Sequence, residues 1–197
     1  LFRGDHYLSH RESRRGMITK ARYVAVLGSQ EEFEPTLDAA LQVEGRSRVV
    51  WIADGATGNW LLADRLKPGC IQILDWHHAV EHACAVGKVL LTEGHELLPL
   101  WKKRCEQLLR GGNSDIVIGE LMACLEYTES EAHLAAINDL IRYYRNNACR
   151  MHYDRYLAAG YPISSGPVES AHRHVLQARM KRAGQRWSLI RGRRMVM

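Results

Sequence analysis

The sequence lacks the features of membrane-spanning and disulfide-stabilised proteins. No apolar run approaches the roughly 18–20 residues that a membrane helix needs. Charged residues interrupt positions 1–22, where a signal peptide would be apolar. The five cysteines are odd in number, scattered and without a Cys-x-x-Cys pair. Because this pattern indicates neither a disulfide framework nor a zinc ribbon, we expect reduced, buried thiols in a cytosolic protein.

Acidic residues are also missing from positions 170–197, which contain eight of the 27 Lys and Arg residues. The remaining positions hold more acidic than basic residues, so the net charge of +5 resides at the C-terminal end. That distribution is typical of a surface that faces a polyanion. The composition is otherwise that of a globular domain, and 197 residues suffice for one core with an inserted subdomain.

Two short apolar runs, at positions 47–55 and 70–76, predict buried strands. A helix is predicted between them, ending at Pro68 and Gly69. Since strand, helix and strand occupy only about 28 residues, the two strands should be parallel. A further strand is predicted at positions 21–28, followed by a helix over 29–45 with Ser29 as N-cap and Glu32 completing a capping box.

Positions 77–159 show helical periodicity without any strand pattern. They predict helices over 78–91 and 96–110, a helix after a turn at 111–115 capped by Ser114 or Asp115, and one or two more over 129–160. A turn then precedes a new helix with Pro167 at its first position. An α/β region followed by a wholly helical one indicates an insertion or a second subdomain.

Two acidic residues stand where the predicted parallel strands end. Asp54 closes the first strand and Asp75 closes the second, so both should lie at the carboxyl edge of one sheet, where open α/β sheets bind ligands. The alternative for Asp54 is a simple Asp-Gly turn. His78 and His82 follow at a helical spacing compatible with zinc, although satisfied structural histidines are the commoner explanation of such a pair.

Glu169 is the last acidic residue before the basic segment and lies near the start of the predicted C-terminal helix. It either stabilises the helix dipole or joins an anion-binding or metal-binding site. Carboxylates at such a place suit Mg²⁺, which usually shares its coordination with substrate phosphates. Two such ions about 4 Å apart support phosphodiester chemistry.

Two long motifs carry a family resemblance. "ADGATGNWLLADRLKPGCIQILDWHHAVEH" and "RMHYDRYLAAGYPISSGPVESAHRHVLQARMKRAGQRWS", with the helical segment between them, resemble bacterial insertion-sequence transposases of the ISKra type, relatives of the Mutator-like DDE transposases. The resemblance covers roughly residues 23–188. It implies an α/β, RNase H-like fold, with a partial catalytic core at residues 1–78 and 160–197 and an all-helical insertion at 79–159.

The resemblance also implies roles for individual residues. Asp54 would be the second acid of the DDE triad and Glu169 the third, together holding Mg²⁺ or Mn²⁺. Asp75 and His78 match an auxiliary Asp-x-x-His signature. The basic segment would bind DNA through Arg173, Arg179, Lys181, Arg182 and Arg186. The implied function is metal-dependent DNA cleavage and strand transfer in transposition, by a homo-oligomer when full length, in the bacterial cytoplasm at the nucleoid.

The sequence departs from the family pattern at its beginning. The first acid of the triad and its opening strand have no convincing counterpart, since Asp5 has no strand-like run before it. Ser165 stands where a glycine is common in the family, and the end of the chain lacks the apolar helix that would continue it. We therefore expect a transposase fragment with weak or no catalysis. The alternative is an inactive DNA-binding remnant.

Overall fold

The computed structural model describes residues 26, 29–42 and 49–166, and 68% of these residues are helical. The strands are β1 (Val50–Ala53) and β2 (Ile71–Leu74). The helices are α1 (Gln30–Gln42), α2 (Thr57–Leu66), α3 (Trp76–Leu91), α4 (Leu98–Arg110), α5 (Ser114–Leu125), α6 (Glu131–Asn147) and α7 (Tyr153–Ala158), with a 3-10 turn at Ala148–Arg150. The chain is therefore an α/β mixture in which helix dominates.

The two predicted strands pair in parallel, as expected. Val50 lies opposite Ile71 and Ala53 opposite Leu74, and α2 forms the connection between the strands. The ladder continues one step further, because the Asp75 N–H donates to the Ala53 carbonyl at 2.8 Å. Both strands are shorter than predicted. The strand expected at positions 21–28 lies outside the described residues except for position 26.

The predicted capping box at the start of α1 is confirmed. The Ser29 N–H donates to Glu32 Oε2 at 3.0 Å, and the Glu32 N–H donates to Ser29 Oγ at 3.3 Å, so two amides that lack intrahelical partners are satisfied. Pro35 lies within this helix. Arg65 at the end of α2 reaches Glu34 of α1 at 2.6 Å.

The helical region from α3 onward is confirmed, and α3 is its centre. Apolar side chains recur three and four residues apart along α3 and α6 because one face of each helix is buried; they are Ala79, Val80, Ala83, Val86, Ile137, Leu140, Ile141 and Tyr144. Two side chains tie neighbouring helices to the α3 backbone. Tyr144 Oη donates to the Ala79 carbonyl at 2.7 Å, and Trp101 Nε1 donates to the Ala83 carbonyl at 2.8 Å.

Helix α3 approaches α4 closely because Gly87 has no side chain. A Cβ atom at Gly87 would lie 2.5 Å from Trp101 Cδ1, well inside van der Waals contact. Glycine in a helix interior normally costs about 0.5–1 kcal/mol relative to alanine. Here it makes room for the indole, so the packing accounts for a residue that helix propensity alone disfavours.

Two expectations from the sequence are wrong. The N-cap of α5 is Asn113, which makes no side-chain capping bond, because Ser114 is already helical. The thiols are all free, but only Cys105 is buried. Cys70 and Cys84 are half-buried, and Cys124 and Cys149 are exposed. The exposed thiols lie on the solvent side of their helical segments, which residue type alone does not reveal.

The chain divides into two compact units. One comprises residues 1–49, 64–69 and 165–197; the other comprises Val50–Ala63 and Cys70–Ser164, and holds the sheet and α3 to α7. The predicted division into a catalytic core and an insertion at 79–159 stays a prediction. None of the helices in the described part of the chain is long and apolar enough to cross a membrane.

Candidate functional site

Asp54 and Asp75 lie at the carboxyl edge of the sheet, each directly after its strand. Because Ala53 pairs with Leu74 in the ladder, the two acids follow adjacent positions of neighbouring strands. Their environments differ sharply. Asp54 is exposed, whereas Asp75 is 1% exposed. The edge therefore presents one acid to solvent and keeps the other inside.

Asp54 has one engaged and one open carboxylate oxygen. Its Oδ1 atom accepts from the Ala56 N–H at 3.0 Å and from Asn59 Nδ2 at 2.9 Å. The first bond is a turn in which an aspartate side chain caps its own loop. Within the described residues, no donor reaches Oδ2. The Asp-Gly turn and a ligand-binding carboxylate are thus compatible, since the turn uses one oxygen and leaves the second.

The backbone of this turn is fixed by Gly55 and by a tyrosine from α6. Gly55 has φ +95°, in the region that favours glycine. A Cβ atom there would lie 2.8 Å from Tyr143 Cε2 and 3.0 Å from Leu74 Cδ1. Tyr143 Oη in turn donates to the Asp54 carbonyl at 2.7 Å. Glycine is required here for its conformation and for the close approach of the tyrosine ring.

Asp75 caps α3 from inside the protein. Its Oδ1 atom accepts from the His77 N–H at 2.8 Å, which satisfies an amide at the helix start, an interaction typically worth about 0.5–2 kcal/mol. Its Oδ2 atom lies 3.6 Å from His78 Nδ1, too far for a hydrogen bond. Among the described residues, this buried Nδ1 atom has no hydrogen-bond partner. Asp75 and His78 are therefore adjacent, as their spacing predicts.

His82 lies one turn further along α3 and stacks on Tyr143, with ring centroids 4.1 Å apart. Partial burial against this ring lowers the pKa of His82, and the neighbouring His78 lowers it further. Glu81 and Asp54 act in the opposite direction. The imidazole is therefore favoured in its neutral form. Burial also raises the pKa of Tyr143, with smaller contributions from Asp54 and Asp75, so the tyrosine remains a hydrogen-bond donor.

A groove of about 450 Å³ runs between α3 and α6 and begins at the stacked pair of His82 and Tyr143. Its wall includes Val86 and Leu140. Arg142 also lines it and is paired with Asp139 at 2.7 Å. The groove therefore adjoins the Asp54 turn through the tyrosine.

Several predicted site residues lie outside the described residues: Glu169, Arg173, Arg179, Lys181, Arg182 and Arg186. Within residues 26, 29–42 and 49–166, no group of three or more His, Cys, Asp or Glu side chains is arranged to hold a metal ion. His78 and His82 thus have no third ligand of these types in that part of the chain. The pairing of Asp54 with Glu169 and the binding of Mg²⁺ or Mn²⁺ stay predictions.

The chain matches none of the protein families, curated proteins or solved structures with which it was compared. Its site is therefore defined by its own geometry. Sequence reasoning identified Asp54, Asp75 and His78 but missed Asn59 and Tyr143. Asn59 has a local signal, an amide five residues after the acid. Tyr143 has none, because it lies 89 residues from its partner.

Proposed function

We propose that the chain is the catalytic part of a DDE transposase with an RNase H-like fold, and that Asp54 is one of its metal-binding acids. The observation that carries the proposal is the state of Asp54. It stands exposed at the carboxyl edge of two parallel strands, held by Ala56 and Asn59 through one oxygen while the other is open. A carboxylate oxygen fixed in this way is the donor that Mg²⁺ or Mn²⁺ prefers.

The order of elements supports this proposal. A strand ending in the exposed acid is followed by a helix, a parallel strand ending in the buried acid, and five helices without a strand in between, up to Ala158. The motif that contains Glu169 follows in the sequence. This is the order that the resemblance implies, with the helical region between the second and the third acid.

The chemistry assigned to these residues is limited to holding and orienting. When bound, divalent metal would supply stabilisation of the attacking and leaving oxygens of a phosphodiester. Asp54 would offer Oδ2, while the amides on Oδ1 hold the carboxylate in one orientation. Glu169 would supply the second carboxylate, and the basic segment after it would contact DNA phosphates. Asp75 would keep the start of α3 and His78 in place behind the acid.

The proposal is tested with Asp54→Asn, which keeps an oxygen for the turn but removes the charge that a metal needs. The measurements are Mn²⁺ binding by electron paramagnetic resonance, and Mn²⁺- or Mg²⁺-dependent nicking and joining of DNA that contains the element's ends. Asp115→Asn is the control, because Asp115 is an exposed aspartate at the start of α5. We expect Asp54→Asn to lose metal binding and any metal-dependent nicking, and Asp115→Asn to keep both.

Two results would count against the proposal. Mn²⁺ affinity that is equal in Asp54→Asn and the unsubstituted chain would remove Asp54 from the metal site. Salt-dependent DNA binding without any effect of divalent metal, lost when Arg179, Lys181 and Arg182 are changed to alanine, would identify a DNA-binding remnant instead.

A further inference from the structure

Three side chains from three helices converge on the turn that carries Asp54. Asn59, in the first half of α2, donates to Asp54 Oδ1 at 2.9 Å. Tyr143 of α6 donates to the Asp54 carbonyl at 2.7 Å. His82 of α3 stacks on the ring of this tyrosine. The side chain and the backbone of the acid are therefore held from different helices.

The same tyrosine is anchored to α2 through its own backbone. Asn147 Nδ2 donates to the Tyr143 carbonyl at 2.9 Å, and Trp60 Nε1 donates to Asn147 Oδ1 at 3.1 Å. Asn147 is 3% exposed and Trp60 is 6% exposed, so this link lies in a protected environment where hydrogen bonds are strong. The buried link fixes α6 against the helix that starts next to Asp54.

The ring of Tyr143 also leaves the turn no room to move. It occupies the space next to Gly55, where even a single added carbon would lie 2.8 Å from Cε2 and 2.9 Å from Oη. A shift of the Asp54 carbonyl away from Tyr143 would break the hydrogen bond, and a shift of Gly55 towards it would clash. The tyrosine thus limits the turn in both directions.

We propose that Tyr143 is a positioning residue that holds the turn at residues 54–56 in the geometry in which Asp54 binds metal. This inference rests on the proposed function for its metal-binding consequence, and on the contacts alone for the order of the turn. It gives the helical region a role in the site. The helix that carries Tyr143 sets the orientation of an acid 89 residues away in the sequence.

The chain offers a matched pair of variants for the test. Tyr143→Phe and Tyr144→Phe each remove one hydroxyl that donates to a backbone carbonyl at 2.7 Å, and only the first carbonyl belongs to Asp54. We expect Tyr143→Phe to weaken Mn²⁺ binding and to speed amide hydrogen exchange at Ala56 by about three- to tenfold, the factor expected for one lost hydrogen bond. Tyr144→Phe should lower the melting temperature but leave both measurements unchanged.

The outcomes separate this inference from the proposed function. Equal effects of the two variants on Mn²⁺ affinity and on Ala56 exchange, or no effect of Tyr143→Phe on either, would overturn the positioning role. If Asp54→Asn leaves Mn²⁺ binding intact, the proposed function fails and Ala56 exchange alone decides whether Tyr143 orders the turn. If Asp54→Asn abolishes binding while Tyr143→Phe preserves it, the metal site stands and the positioning role is refuted.

Discussion

Replacing Gly55 with alanine tests whether the Asp54 turn is as constrained as its contacts indicate. Two costs add at this position. The first is conformational, because φ is +95° and an L-residue in a left-handed conformation costs about 1–2 kcal/mol. The second is steric, because the new Cβ atom would lie 2.8 Å from Tyr143 Cε2 and 3.0 Å from Leu74 Cδ1.

The steric cost has the size of overpacking in a core, about 1–3 kcal/mol. Leu74 is fully buried, and Tyr143 is held by its hydroxyl and by its stacking on His82, so neither neighbour moves freely. Gly55→Ala should therefore reduce the free energy of unfolding by about 2–5 kcal/mol in total.

Two other glycines separate the two costs. Gly160 has φ +76°, and no atom of the described residues lies within 4 Å of the position that its Cβ would take, so Gly160→Ala should show only the conformational cost of about 1–2 kcal/mol. Gly119, inside α5, also has free space around it but no positive φ, so Gly119→Ala should be neutral or stabilising by up to about 1 kcal/mol. Urea unfolding followed by circular dichroism provides the free energies. A cost for Gly55→Ala no larger than that for Gly160→Ala would refute the steric argument.

The other predictions concern titration and thiol chemistry. NMR titration should give His82 a pKa below its ordinary value of 6.5; since this pKa is depressed in the folded state, the stability that His82 contributes is complete above pH 6.5 and is lost as the pH falls through the folded pKa. A pKa of 6.5 or above would contradict the stacking environment. Burial raises the pKa of Cys105 to about 12, so a thiol reagent at pH 8 should label the exposed Cys124 and Cys149 rapidly and Cys105 only after unfolding; fast labelling of Cys105 in the folded protein would be inconsistent with its burial.

Local sequence patterns predicted much of the fold. Apolar runs of strand length, separated by a short helix, gave β1 and β2 and their parallel pairing. The serine and glutamate at the start of α1 gave the capping box. Helical periodicity gave α3 to α7. These features depend on residues close together in the chain, so their physical causes can be read in short windows. The cap of α5 was misplaced because Asn113, Ser114 and Asp115 are all good capping residues.

The same short-range reasoning located the acids of the candidate site but not their states. Asp54 and Asp75 were expected at one sheet edge because parallel strands share their carboxyl ends. Their sequence contexts do not show that one is exposed and the other 1% exposed. That difference arises because α3 starts at Trp76, directly after Asp75, while the chain after Asp54 first makes an open turn.

The sequence by itself determined where strands and helices form and which acids end the strands, because turn residues, caps and apolar periodicity act over a few positions. Only the tertiary structure decided that Gly55 is confined by Tyr143, that His82 stacks on the same ring, and that one oxygen of Asp54 is held while the other is open. Those contacts join residues up to 89 positions apart. They exist because α6 packs against α3 and places its tyrosine over the end of β1.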